Sequence, residues 1–179
     1  LHIEDSSLGY TDIFGDKPEV WKKQQSNLDH LVQIEVCRDN NISSLAQEIA
    51  ERINSLVPVL EGLCFKTCPS CDDPCCVRAT VRYDFRDLVF LHSLQKAIPL
   101  GQPKPQPGQA CSLLGPTGCL LPRVLRPFVC TWYLCPSQMD LVRSSTSGWV
   151  YGLPDQLQEI KKQRKQLETE FLRQISPDK

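Results

Sequence analysis

Nine of the chain's ten cysteines fall in two stretches. The first runs from Cys64 to Cys76 and reads Cys-Phe-Lys-Thr-Cys-Pro-Ser-Cys-Asp-Asp-Pro-Cys-Cys, which places Cys64, Cys68, Cys71, Cys75 and Cys76 within thirteen residues. The second holds Cys111, Cys119, Cys130 and Cys135, separated by seven, ten and four residues. Thiols this dense have three stable fates in water: they ligate a metal ion, ligate an iron–sulfur cluster, or oxidise to disulfides. Short Cys-x2-Cys and Cys-x3-Cys spacings let one turn aim two sulfurs at a single centre, which favours the first two fates. A bridge between the neighbours Cys75 and Cys76 would close a strained ring. All nine cysteines are therefore candidate metal ligands.

The two ion chemistries make different demands. Zinc takes four thiolates as a tetrahedron, usually from paired arms two to four residues apart. A cubane cluster uses three closely spaced cysteines and one remote, often beside a proline. Cys64-x3-Cys68-x2-Cys71 together with Cys135-Pro136 fits the second description. The spacing favours a 4Fe-4S iron–sulfur cluster, with zinc as the alternative. Arg126, four residues before Cys130, supplies a cation that would favour thiolate over thiol. Trp132 and Tyr133 are expected to shield the site. Cys37, alone in a helix, reads as a small buried hydrophobe. His92 reads as a packed or solvated helix histidine, with ligand or proton donor as the other option.

The two stretches together resemble the YkgJ-type family, the CxxCxxCC zinc- or iron-chelating domain. Cys68-Pro-Ser-Cys71 and Cys75-Cys76 match its start. Cys111-Ser-Leu-Leu, Gly118-Cys119 and Arg126-Pro127-Phe128-Val129-Cys130 match its finish. The resemblance covers residues 64–136. The chain departs from the pattern in placing three residues, not two, between Cys71 and Cys75, and in adding Cys64. The resemblance implies metal chelation without fixing zinc or iron, and some members are similar to iron–sulfur methyltransferases acting on protein lysines.

The elements that must position these sulfurs are mostly helical. Val20, Trp21, Gln24, Leu28, Leu31, Val32 and Glu35 recur at helical spacing and predict a helix over 18–37. Ile42, Leu45, Ile49, Ile53, Leu56 and Val57 predict a second, ended by Pro58, and a short turn joins the two as an antiparallel hairpin. Ala79–Tyr83 alternates and predicts a short strand. Asp84 then caps a helix reaching about residue 97. The prolines at 103, 105 and 107 make 98–110 a stiff connector. Gly115-Pro116-Thr117-Gly118 predicts a turn that brings Cys111 and Cys119 to facing ends of a hairpin. Residues 136–153 read as a polar segment, with a short strand near 149–152. From 154 to 175, Leu157, Ile160, Arg164, Leu167 and Phe171 step by three and four. That seam needs cover, either from the N-terminal hairpin or from another chain.

The expected fold is mainly α with irregular cysteine-rich loops: an N-terminal arm and helical hairpin over 1–60, a metal-centred domain over 61–153, and a long C-terminal helix over 154–179. At 179 residues and a formal net charge of −1, the chain offers no electrostatic case for nucleic acid or an anionic membrane. No apolar run reaches the roughly 18 residues of a membrane span. No basic region followed by an apolar stretch opens the chain, so no signal peptide is visible. The cysteines then fit a reducing, cytoplasmic setting. Gly-x-Gly-x-x-Gly, Walker, His-Glu-x-x-His and Gly-x-Ser-x-Gly motifs are absent from the sequence. The Cys64/Cys68/Cys71 spacing also occurs in radical enzymes, but the chain is too short for the barrel that normally surrounds such a site. The expected function is a cysteine-ligated accessory, redox or interaction module that meets a protein partner or a second copy through its terminal helices. The alternatives are a structural zinc module and an iron–sulfur enzyme such as a protein methyltransferase.

Overall fold

The computed structural model describes residues 17–38, 41–103, 109–115, 118–145, 150 and 152–176, without the side chains of 35–38. The expected arm lies outside these residues except at Lys17, and so does the side chain of Cys37. The chain is mainly helical, with cysteine-rich loops and a long C-terminal helix.

Helix α1 spans Pro18–Arg38 and buries Trp21, Leu28 and Val32. Helix α2 spans Asn41–Thr67, nine residues past the proline that was expected to end it. Pro58 removes one helical amide and costs about 3 kcal/mol in a helix interior. The helix survives because its apolar stripe continues: Leu56, Leu60 and Leu63 are all buried beyond or beside the proline. Burying each is worth roughly 1.5–3 kcal/mol. The result matters for the cysteines, because Cys64 becomes a helical residue on a rigid element.

The centre of the molecule is helix α4, Phe85–Ser93, which follows a single turn of helix, α3, at Cys75–Arg78. Every residue from Asp87 to Ser93 is buried. A helix covered on all sides is a core element, not an amphipathic surface one. Asp84 caps it as expected, in a reciprocal capping box with Asp87. It stops short of residue 97 because Gln95 takes a left-handed backbone, with φ of 53°. The amide of Lys96 then bonds back to the carbonyl of Leu91, the closure that commonly ends helices. The strand expected over Ala79–Tyr83 is reduced to one bridging residue, Val81. Cys75–Arg78 is helical instead, and residues 82–84 run directly into the cap.

Beyond the connector, β1 (Leu114–Gly115) and β2 (Gly118–Cys119) form the expected hairpin, with Leu114 paired to Cys119 and Gly115 to Gly118. Gly118 has φ of 125°, a backbone that side-chain-bearing residues rarely adopt. A 3-10 turn at Arg123–Leu125 and the short α5, Val129–Trp132, follow. Helix α6 occupies Pro136–Ser144, within the stretch read from sequence only as a polar segment. Its start carries two ordinary signals, proline in the first turn and glutamine at the third position, but the capping residue is Cys135, which is an uncommon cap. Of the expected strand at 149–152, Val150 and Gly152 are described; neither is in a strand, and Val150 is buried.

Helix α7, Leu153–Ile175, buries Leu157, Ile160, Gln163, Arg164, Leu167 and Phe171. Its seam is covered within the chain, most extensively by α2 and α4. The connector is tied down by aromatics: the Trp21 indole donates to the Pro99 carbonyl at 2.8 Å, and the Gln102 side chain bonds both backbone groups of Tyr83. No described helix is long and apolar enough to cross a membrane.

Candidate metal centre

The cysteines fall into two neighbourhoods, one of them at the C-terminal end of α2. The first is built on that helix end. Cys64 and Cys68 are one turn apart, and the Cys71 amide bonds the Cys68 carbonyl at 3.2 Å. Burial, and after it the charges of Cys64 and Cys75, push the Cys68 thiol up to about 11, while Thr67 Oγ1 beside it acts in the opposite direction. Cys135 joins through Gln138. That side chain donates to Cys64 Sγ at 3.5 Å and accepts from the Cys135 amide at 3.2 Å, while the Cys135 sulfur caps the Gln138 amide.

The second group is held by backbone. The Cys111 amide bonds the Cys76 carbonyl at 2.9 Å, and the hairpin presents Cys119. Cys130 comes from α5. Burial pushes its thiol up to about 12, with Cys119 and Cys111 adding to the rise and Arg126 opposing it. Cys76 is also raised, first by a hydrogen bond with Cys75, then by burial, then by the charges of Cys75, Cys130 and Cys111. The Tyr83 phenol is raised by burial and Asp87, and then by Cys130, Cys119 and Cys111. It donates to the Leu125 carbonyl at 2.7 Å, closing the inner side of the group.

Between the two groups stands Arg123, 5% exposed. Its guanidinium donates to Glu61 Oε1 at 3.0 Å, to the Cys130 carbonyl at 2.9 Å and to Cys64 Sγ at 3.7 Å. The expected cation, Arg126, does favour the Cys130 thiolate, but its own donors go to the Leu121 carbonyl and to Glu61. Arg123 is the residue that reaches sulfur, and sequence reasoning missed it. Spacing carries no signal for it, because its reach depends on where the 3-10 turn sits against α2. Trp132 and Tyr133 do not form a buried lid: they are 42% and 46% exposed, with rings edge-on 6.2 Å apart. His92 is a buried, packed helix histidine. Its ring nitrogens meet Asp29 Oδ1 at 3.2 Å and Gln25 Oε1 at 2.9 Å, and burial lowers its pKa.

None of the nine described cysteines is in a disulfide. Among the described residues, no three Cys, His, Asp or Glu side chains converge closely enough to hold an ion as they stand. The donor chemistry nevertheless fits one. Burial and mutual repulsion keep Cys68, Cys76 and Cys130 protonated at neutral pH. A bound cation inverts that balance, because a coordinating thiol is deprotonated outright. At these three sulfurs an added positive charge would therefore favour the anionic form. No family model, curated protein or solved structure matches this chain.

Proposed function

We propose that the chain is a cysteine-ligated metalloprotein that holds an iron–sulfur cluster at its first cysteine group and a further four-thiolate centre at its second. The observation that carries this reading is the assembly of unbridged thiols from two distant stretches against one helix end. In the first group, Cys64, Cys68 and Cys71 supply the three close ligands and Cys135 the remote one, linked to them through Gln138. In the second, Cys76, Cys111, Cys119 and Cys130 supply four. Cys75 lies against Cys68 and Cys76 and completes neither set. The resemblance in residues 64–136 points toward the same chemistry. A cluster supplies one-electron transfer or an iron with an open position. The chain's own residues supply the thiol donors, the Arg123 and Gln138 hydrogen bonds to Cys64, and a fold that holds them. The role that follows is an accessory redox or interaction module in a reducing compartment.

The second reading is structural zinc at both groups. The composition of the second group favours it, since four thiolates without an open position suit zinc. Elemental analysis, acid-labile sulfide and the absorption spectrum of anaerobically purified protein separate the two. Iron with sulfide and a broad visible band, lost in Cys64→Ser, Cys68→Ser and Cys71→Ser, is the expected result. A colourless protein containing zinc alone removes the cluster. Protein that binds neither metal after reduction overturns both readings.

A further inference from the structure

Helix α1 is the most lightly anchored of the three long helices. Its described side chains bury Trp21, Leu28 and Val32, against nine buried residues on α2 and seven on α7. Its polar tie to α4 runs through three side chains. Asp29 Oδ2 accepts from Gln33, one turn further on, at 2.9 Å. That bond fixes the carboxylate and leaves Oδ1 for Nδ1 of His92, at 3.2 Å. The other ring nitrogen, Nε2, faces the side-chain amide of Gln25 at 2.9 Å. We propose that Gln25, His92 and Asp29 form a pH-sensitive latch, which holds α1 on α4 while the imidazole is neutral and releases α1 when the ring takes a proton.

Donors and acceptors define two states of the latch. A carboxylate accepts and does not donate, so Nδ1 carries the ring proton. In the neutral imidazole Nε2 is then a bare acceptor, and its partner on Gln25 is the amide nitrogen. A protonated ring donates from both nitrogens and takes the amide oxygen instead. The two amide orientations fill the same volume, so the exchange requires no other side chain to move. With the oxygen toward the ring, Gln25 Nε2 is buried and has no acceptor. Buried N–H groups without a partner are rarer in folded proteins than under-satisfied carbonyls. The added charge also sits on a ring that is 6% exposed. Proton uptake therefore works against the closed latch. Burial of the ring acts in the same direction, and Asp29 opposes it.

The surroundings let the ring titrate and let α1 respond. A cavity of about 310 Å³ lined by Asp29, Gln33, His92, Gln95 and Lys96 opens beside it, which gives protons a route that needs no unfolding. Asp29 and Lys96 are the charged groups on that wall. The buried residues of α2 are all apolar. On α7, Arg164 and Glu168 are bonded to Asp87 and Arg86 of α4. Lys22, Lys23 and His30 of α1 are exposed. Swinging α1 away gives water access to both the imidazolium and Gln25 Nε2, and it uncovers three large apolar side chains. Lifting α2 or α7 would uncover more, so α1 is the unit that opens first. Neither cysteine group lies on α1, so the latch is independent of what those groups hold.

The test is hydrogen exchange of the full, reduced chain between about pH 7.5 and about pH 5, the range in which histidine titrates, corrected for the intrinsic rate at each pH. Protection of α1 should fall by up to about tenfold per pH unit once His92 begins to protonate, while α2 and α7 keep theirs. In His92→Gln the fall should disappear. Gln25→Glu should reverse its sign. The new carboxylate accepts from a protonated Nε2 and favours the imidazolium, so α1 becomes better protected as pH falls and loses that gain as pH rises. Equal loss across α1, α2 and α7 would show general destabilisation and no latch. Unchanged α1 protection in the wild type, or the same fall in His92→Gln, also overturns the proposal, and neither result depends on Gln25→Glu folding. A folded Gln25→Glu that follows the wild-type direction overturns it as well.

Discussion

Replacing Asp87 with alanine tests how the centre of the molecule is held. Asp87 is 4% exposed, and its carboxylate accepts three bonds: from Arg164 Nη2, from the Phe128 amide at 2.9 Å and from the Asp84 amide at 3.1 Å. Each donor comes from a different part of the fold, namely α7, the loop before Cys130, and the cap of α4. The alanine variant leaves a buried cation without its anion. Breaking a buried pair in this way costs about 3–5 kcal/mol, and the two orphaned amides add to it. With a urea slope of about 2 kcal/mol per molar for a chain of this size, the midpoint should fall by about 2 M. The double variant Asp87→Leu with Arg164→Met removes both charges and restores apolar volume. It should recover most of the loss, because the desolvation of both ions disappears with them. Urea unfolding of the reduced, metal-free chain measures the wild type, the alanine variant, the double variant and its two singles, Asp87→Leu and Arg164→Met, and hydrogen exchange at the Phe128 amide reads the local effect. If the double variant is as unstable as the sum of its singles, the pair is not coupled, and the reasoning from burial and donor count is wrong.

Arg123→Met should weaken metal binding by about 10–100-fold, the usual penalty for losing an outer partner of a ligand. Arg123→Lys should not rescue it, since an ammonium cannot reach Glu61, the Cys130 carbonyl and Cys64 Sγ together; competition against a chelator measures both, and wild-type affinity in either counts against the bridging role. Leu63→Ala should cost about 2–5 kcal/mol, because Leu63 is fully buried one residue from Cys64; a loss below 1 kcal/mol would show that α2 is not rigid at the sulfurs. His92 titrates in the opposite sense to the thiols. Burial lowers its pKa below the usual 6.5, against the pull of Asp29, so the folded state binds its proton less well than the unfolded chain. Its contribution is present above pH 6.5 and is lost as pH falls toward the folded value, with a slope of up to about 1.4 kcal/mol per pH unit. The slope should flatten in His92→Gln, and an unchanged pH profile in that variant would dismiss it.

The parts of the fold legible in the sequence are those where a local signal and the tertiary structure agree. The stripes of α1, α2 and α7, the Asp84 cap and the glycine-flanked hairpin all carry their own period or turn chemistry. Pro58 shows where a local rule yields. A proline's cost is fixed, whereas the burial of Leu56, Leu60 and Leu63 grows with every turn that the helix continues. Helix α4 shows the reverse case. Its sequence traces one apolar face, yet Asp87, His92 and Ser93 are buried as well. They are tolerated because Arg164, Asp29, Gln25 and the Val89 carbonyl supply partners, and those partners lie between 4 and 77 residues away along the chain.

The same distinction governs the candidate centre. Composition and spacing mark which cysteines matter, because sulfur density is a local property. They do not say which cysteines meet. Cys75 and Cys76 are adjacent and hydrogen-bonded to each other, and Cys75 also neighbours Cys68 while Cys76 neighbours Cys111 and Cys130. Both stand on the single helical turn at Cys75–Arg78. Successive helical side chains diverge by about 100°, less than the opposite faces of an extended pair, so two neighbouring thiols can bond each other and still meet different partners. The Cys75-Cys76 dipeptide is therefore the link between the two proposed thiol groups. A division into two groups implies a difference in metal content: Cys76→Ser should lower occupancy at the second group and leave the visible band of the first intact. Loss of both together would mean that all nine sulfurs serve one centre.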